Sequence, residues 1–433
     1  MPRVGGKVAP EELGLISAWI NAGAKFDGTD SAAPLTSFSP SKKNDDKGDK
    51  LNVVTATGKE EVQFARDLGA IFLTHCFECH GQRNPRNNFS VETFNRLLRG
   101  GDGGVVLAPG KPDESLLVKK LRGMAGERMP LNLPPLGADE IAKFEKWIAS
   151  GAKFDGSDPG SPLQEIVDLS AAERATHAEL SERRVELAAK NWRLILPDSK
   201  PQQEEAADVL VYGSVSPELL AGVTRTAEEQ VAKLRKQFKV PVDRPLIKGR
   251  LTLYVFEKRY DYGEVGTMLE HRELPAVWRG HWHYNPLDAY GCVLLDSEGH
   301  ASPGLVAQQI AGAYVASLGK IPRWFAEGSA RAVAAAVNRK DPRVVAWDEN
   351  VARIYTASER PDSFLTGNLP PEEADILSYS FVKFLKTSNS RYDALMAALA
   401  SGTSFAEAFP KAYGGSPTDQ IAIWSSRAVK RAR

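Results

Sequence analysis

The chain has 433 residues, with 55 Lys+Arg balanced by 55 Asp+Glu, 25% charged residues and 42% hydrophobic ones. These ordinary globular values exclude wholesale disorder and predict about two to four domains. A net charge of zero excludes a field that draws the chain onto nucleic acid or anionic membrane, and only three cysteines (Cys76, Cys79, Cys292) exclude a disulfide scaffold.

In chain order, the first feature is one half of an internal repeat. Residues 1–30 align without a gap to 129–158, sharing Met-Pro, Glu12/Glu140, Trp19-Ile20/Trp147-Ile148, the run Gly-Ala-Lys-Phe-Asp-Gly and a final Asp. Leu13, Ile16, Trp19 and Ile20, like Ile141, Phe144, Trp147 and Ile148, recur at helical spacing. Gly23 and Gly151 stand where a helix ends in left-handed backbone. Residues 31–57, rich in Ser, Lys, Asp and Pro, read as a linker. A compact unit over 58–158 follows, with helices predicted at 60–74, at 114–121 and in the second repeat copy. An Ala/Glu/Arg-rich helical connector occupies 159–204. From 205 to 433 the pattern is mixed: a helix over 217–238, strands over 251–256 and near 291–295, then mostly helices. Arg427, Lys430, Arg431 and Arg433 form a basic cluster that reads as a solvated helix end. No stretch is apolar over the length that spans a bilayer.

Cys76-Phe77-Glu78-Cys79-His80 has the spacing of covalent haem attachment. On a helical turn residues i and i+3 share a face, so two thiols reach the two vinyl groups on one porphyrin edge, and the next residue turns an imidazole to the iron. A zinc site needs further Cys or His ligands, and no second C-x-x-C or H-x-x-H is present beside His75. A thioredoxin-like site needs a βαβ setting, which this motif lacks. The second axial ligand is expected from a distant segment. Met129, followed by Pro130 in a Pro-rich loop, is the best placed of the five methionines, with Met124 and His75 as alternatives.

Residues 58–158 resemble the planctomycete-type cytochrome c domain. They carry its opening Cys-x-Glu-Cys-His-Gly at 76–81, the small-residue run 99–104, Pro109-Gly110-Lys111-Pro112 with Glu114-Ser115-Leu116-Leu117, Met129-Pro130, and the closing Trp147-Ile148 with Gly151-Ala152. The resemblance implies an all-α class I-like fold and one haem c. It implies Cys76 and Cys79 as thioether anchors, His80 and Met129 as axial ligands of the iron, and a periplasmic or other extracytoplasmic location.

Residues 1–30 then read as the C-terminal fragment of another such domain, because Met1 aligns with Met129. A single short helix is marginal alone. The expectation is a longer polypeptide whose upstream part supplies a signal peptide, which MPRVGGKVAPEELGL lacks, and a second haem site. The alternative is a relic helix docked elsewhere.

Residues 205–433 resemble gluzincin-type metallopeptidases, an α+β fold with a helical C-terminal part, through 305–312 (LVAQQIAG) and 321–328 (IPRWFAEG). Zinc peptidase chemistry needs two imidazoles at i and i+4 and a general-base carboxylate at i+1. Gln308, Gln309 and Gly312 occupy those positions. Glu327 remains, and a helical pair with Arg331 is the simpler role for it. The domain therefore reads as a catalytically dead pseudo-peptidase. His281 and His283, two apart on a strand, lack an evident third ligand, and Cys292 reads as a small buried hydrophobe.

The leading expectation is a non-enzymatic electron carrier that works with a redox protein partner. A haem peroxidase or a redox or gas sensor is the alternative from the enzyme and sensor classes. A partner-binding pseudo-peptidase with the haem domain as electron relay is the alternative from the binding class.

Overall fold

Aromatic residues from several short helices gather into the first core that the chain builds. The computed structural model describes residues 51–431 except 82–84, 359 and 361. The first repeat copy and the linker before residue 51 lie outside the described residues. The described residues from Thr55 onward form one compact unit.

A π-helical turn, Phe64–Leu68, leads into α1 (Gly69–His75) and α2 (Phe77–His80), followed by α3 (Phe94–Arg99), α4 (Leu116–Leu121) and α5 (Ala138–Ala149). Phe64 packs edge-on against Phe94 at 4.7 Å, and Phe72 against Phe144 at 5.2 Å. Trp147 lies 5.6 Å from Phe64. Burying each such ring contributes about 1.5–3 kcal/mol, so this cluster replaces a sheet as the organising core. The repeat motif explains α5. Glu140 accepts from the Gly137 N–H at 3.0 Å, Phe144, Trp147 and Ile148 form the buried stripe, and Gly151 ends the turn with φ +102°. Of the helix predicted over 60–74, the first residues stay outside: the Glu60 carboxylate instead accepts from the Thr57 N–H and pairs with Lys153 at 2.8 Å.

The stretch read as a connector makes two helices, α6 (Leu163–Arg174) and α7 (His177–Ile195). They part at Thr176, whose hydroxyl accepts from the Glu179 N–H while the Glu179 carboxylate accepts from the Thr176 N–H at 2.8 Å. Helix α6 packs on α1, with Val167 over Gly69. Helix α7 packs on the sheet, where Trp192 stacks on Phe256 at 5.4 Å.

The sheet has the order β1 (Gln202–Glu205), β2 (Val209–Gly213), β3 (Leu251–Phe256), β5 (Ala289–Leu294), β4 (Trp282–Tyr284). Strands β2, β3 and β5 are parallel, in register Val211↔Leu253 and Tyr254↔Cys292, and both edge strands are antiparallel. Helices α8 (Pro217–Phe238) and α10 (Pro303–Ser317) cover one face, and α7 with α9 (Arg259–Met268) the other. Coverage on both faces is why 251–256 is apolar almost without alternation and buried throughout. Helices α11 (Arg323–Val337), α12 (Pro342–Ala357), α13 (Pro371–Leu385), α14 (Asn389–Ala400), α15 (Phe405–Tyr413) and α16 (Pro417–Arg431) complete the chain. The result is a largely helical protein with a small mixed sheet. The helix predicted over 217–238 and the strand over 251–256 have the observed bounds.

Candidate functional site

Helix α1 does not stop cleanly at the cysteine motif. Cys76 N–H donates to Phe72 O at 3.0 Å and His80 N–H to Cys76 O at 2.9 Å, so helical bonding runs through the junction. Cys76, Cys79 and His80 therefore stand at i, i+3 and i+4, one face of a helical turn. Gly81 closes the motif because the Phe77 ring fills its place: a Cβ there would lie 2.5 Å from it.

Both thiols are free and half-buried. Burial, and then the neighbouring Cys79 sulfur, pushes the Cys76 thiol up to about 12. A redox-active or zinc-binding cysteine needs the opposite, a stabilised thiolate. Among the described residues, no three His, Cys, Asp or Glu side chains converge as metal ligands. Burial thus keeps the Cys76 thiol neutral.

His80 is half-buried, with Nδ1 3.0 Å from Phe89 O and its ring 5.0 Å from the Phe89 ring. A carbonyl only accepts, so Nδ1 carries the proton and Nε2 carries the lone pair, the arrangement that orients a metal-ligating imidazole. Burial lowers the His80 pKa further than its hydrogen bond to Phe89 raises it, which favours the neutral form. Phe89 is in turn fixed by the small-residue run. Asp102 N–H donates to Asn87 O at 2.8 Å, and Asn88 Nδ2 to the Asp102 carboxylate at 2.6 Å. Gly100 adopts φ +78°, and a Cβ on it would lie 2.1 Å from Gly104 O.

Met129 enters from a separate segment, the loop after α4. It is half-buried, and its N–H donates to Lys120 O at 2.9 Å. The two alternatives fare differently: Met124 is 70% exposed, and His75 faces Glu140 at 3.7 Å. Beside Met129, Arg128 Nη2 donates to Leu133 O at 2.8 Å, while Nη1 is sealed from solvent with no acceptor among the described residues. A haem carries two carboxylates, so a buried guanidinium donor without an acceptor among the described residues, the neutral Cys76 thiol beside Cys79 and an imidazole whose proton sits on Nδ1 form a donor set that fits the group.

A second polar cluster lies between β4, α10, α11 and α13. Gln308 donates to Glu327 Oε1 at 3.1 Å and accepts from Arg343 at 2.9 Å. Trp282 Nε1 donates to Glu327 Oε2 at 2.6 Å. The expected helical pair is present, Arg331 Nε lying 2.9 Å from Glu327 Oε1, and Arg331 also reaches Glu372 at 2.6 Å and Asp375 at 3.4 Å. Burial acts to raise the Glu327 pKa, but Arg331 and Arg323 outweigh it and bring it below the ordinary value. Asp375 goes the other way: burial, then the Glu327 charge, pushes it up to about 7. Gln309 is fully buried, with its Nε2 on Leu305 O and its Oε1 without a partner among the described residues. At Gly312 a Cβ would meet Trp282 Nε1 at 2.2 Å, so the indole occupies the space a side chain at Gly312 would fill.

The two histidines of 281–283 go separate ways. His281 is buried, with Nε2 2.7 Å from Glu270 and Nδ1 2.8 Å from the Tyr262 hydroxyl, and His283 stacks on Tyr290 at 5.1 Å. Cys292 is completely buried in the core between the sheet, α7 and α9. Sequence reasoning missed the Phe89 carbonyl, Arg128 and Trp282. Only the last had a visible signal, an aromatic residue between two histidines.

Among the described residues no helix is long and apolar enough to cross a membrane. No curated protein matches the sequence. Residues 76–131 match the family model described as planctomycete cytochrome C, a span that opens on Cys76 and takes in Cys79, His80 and Met129.

Proposed function

We propose that residues 58–158 form a class I-like mono-haem cytochrome c domain and that the protein carries electrons outside the cytoplasm to a redox protein partner. The observation that carries this reading is the Cys76–Cys79–His80 face with His80 Nδ1 held by the Phe89 carbonyl. Bound there, haem supplies a one-electron Fe(III)/Fe(II) couple. Cys76 and Cys79 would anchor it through their sulfurs, and His80 would offer Nε2 to the iron. Met129 would offer it a soft thioether, which favours the reduced iron. The aromatic core behind α1 and α5 excludes water from that side.

The test is the haem-to-polypeptide ratio of the purified protein, with the haem retained through denaturation. The Cys76→Ser, Cys79→Ser double variant should lose covalent haem altogether. Met129→Ala should keep it but lose the high reduction potential; peroxidase turnover that survives this substitution would favour the enzymatic alternative instead.

For residues 205–433 the reading is a gluzincin-like pseudo-peptidase that serves as a binding or packing module. Its support is Trp282, whose indole bonds Glu327 and stands against Gly312 where a metal ligand would project. Stoichiometric zinc in the purified protein would overturn it.

A further inference from the structure

Arg128 immediately precedes Met129, and its placement in that loop is specific. Its stem packs over Gly123, where an added Cβ would lie 3.5 Å from the Arg128 Cβ, and Nη2 donates to Leu133 O at 2.8 Å. The guanidinium is therefore held within the loop by two of its own segments. Nη1 is shielded from solvent yet has no acceptor among the described residues. A charged donor in that position has given up water and gained nothing, the costliest way to leave a hydrogen bond unmade. Four cations of the same region end on carboxylates: Arg96 on Glu92, Lys111 on Glu114, Arg122 on Glu145 and Lys153 on Glu60. The acid next to Arg128 in sequence, Glu127, is turned out to solvent.

We infer that Arg128 is a haem-binding residue whose Nη1 donates to one of the two haem propionate carboxylates, while Nη2 keeps the Met129 loop closed on Leu133. This rests on the haem reading above and adds to it a charge-assisted contact that the cysteine motif does not contain. Arginine suits the task better than lysine, because its planar fork serves two acceptors at once. The consequence is electrical. A guanidinium paired with a propionate offsets a negative charge close to the iron, which disfavours the ferric state and raises the reduction potential.

The experiment uses the full chain, matured with haem c, and its R128Q and R128K variants. Three quantities are read: covalent haem per chain, the absorption band of sulfur-ligated ferric haem, and the reduction potential. R128Q should keep covalent haem and the sulfur–iron band while its potential shifts downward; R128K should recover part of the shift. An unchanged potential in R128Q overturns the inference and leaves the haem reading intact. If R128Q loses the sulfur–iron band, R128K decides, since a potential near that of the parent supports the contact and one as low as R128Q overturns it. A parent chain without covalent haem overturns the haem reading, and this inference with it.

Discussion

At Gly312 the helix gives up a side chain to make room for an indole. Alanine there would bring its Cβ to 2.2 Å from Trp282 Nε1, and the ring cannot yield without leaving Glu327. Replacing an interior helical glycine by alanine ordinarily gains about 1 kcal/mol, but forcing a methyl into a filled site costs about 1–3 kcal/mol, and the lost indole bond adds to that. Gly312→Ala should therefore lower the unfolding free energy by about 1–3 kcal/mol in urea titrations; a gain would mean that the indole has room to move. At this scale the sequence proposes a haem site where residue type carries the chemistry: the motif spacing names Cys76, Cys79 and His80 as candidates, and the Met-Pro position in a Pro-rich loop names Met129. The Phe89 carbonyl could not be named, because any residue supplies one. Arg128 looks like a surface arginine until the loop around it is folded.

One buried side chain ties helix α7 to the loops that lead into β3 and β5. Arg184, 2% exposed, donates to the carbonyls of Leu287 at 3.2 Å, Lys248 at 2.8 Å and Pro286 at 3.0 Å, and also to Arg250 O. Burial draws its pKa down to about 10, yet it remains charged at neutral pH. Arg184→Met keeps the bulk and abandons four carbonyl groups, so it should cost about 3 kcal/mol or more in chemical unfolding. A loss below about 1 kcal/mol would show that water takes over those groups. The sequence showed this helix as polar and Arg-rich, with no hint that one arginine points inward.

The contact between α11 and α13 carries a pH dependence of its own. Asp375, ordinarily near 3.8, titrates at about 7 beside Glu327, Glu372, Arg323 and Arg331. The folded state thus holds a proton that the unfolded state releases. Its stabilising contribution is complete below about pH 4 and falls as the pH rises to about 7. In urea unfolding across that range, Asp375→Asn should become progressively more stable relative to the parent, and the difference should level off above about pH 7. A difference that stays flat would mean that Asp375 ionises normally in the fold.

Over the whole molecule, strongly patterned elements were readable and their partnerships were not. The 217–238 helix and the 251–256 strand follow from apolar periodicity and a Ser-Pro start, both local properties. Which face of the sheet α7 covers, and that α6 turns back onto α1, depends on contacts between residues far apart in sequence. The break at Thr176 bears on how the two halves could be exchanged between proteins. A fusion joined after Asp158 would strip Val167 from Gly69 and leave the cysteine-bearing helix bare along one side. Joined at Thr176, it would give up the small contact of Ala172 and Ala175 with Leu180 and the bond from Lys248 Nζ to Glu173 O at 2.8 Å, and α7 would keep its own cap. The natural seam for shuffling the cysteine-bearing half thus falls within what reads as its linker.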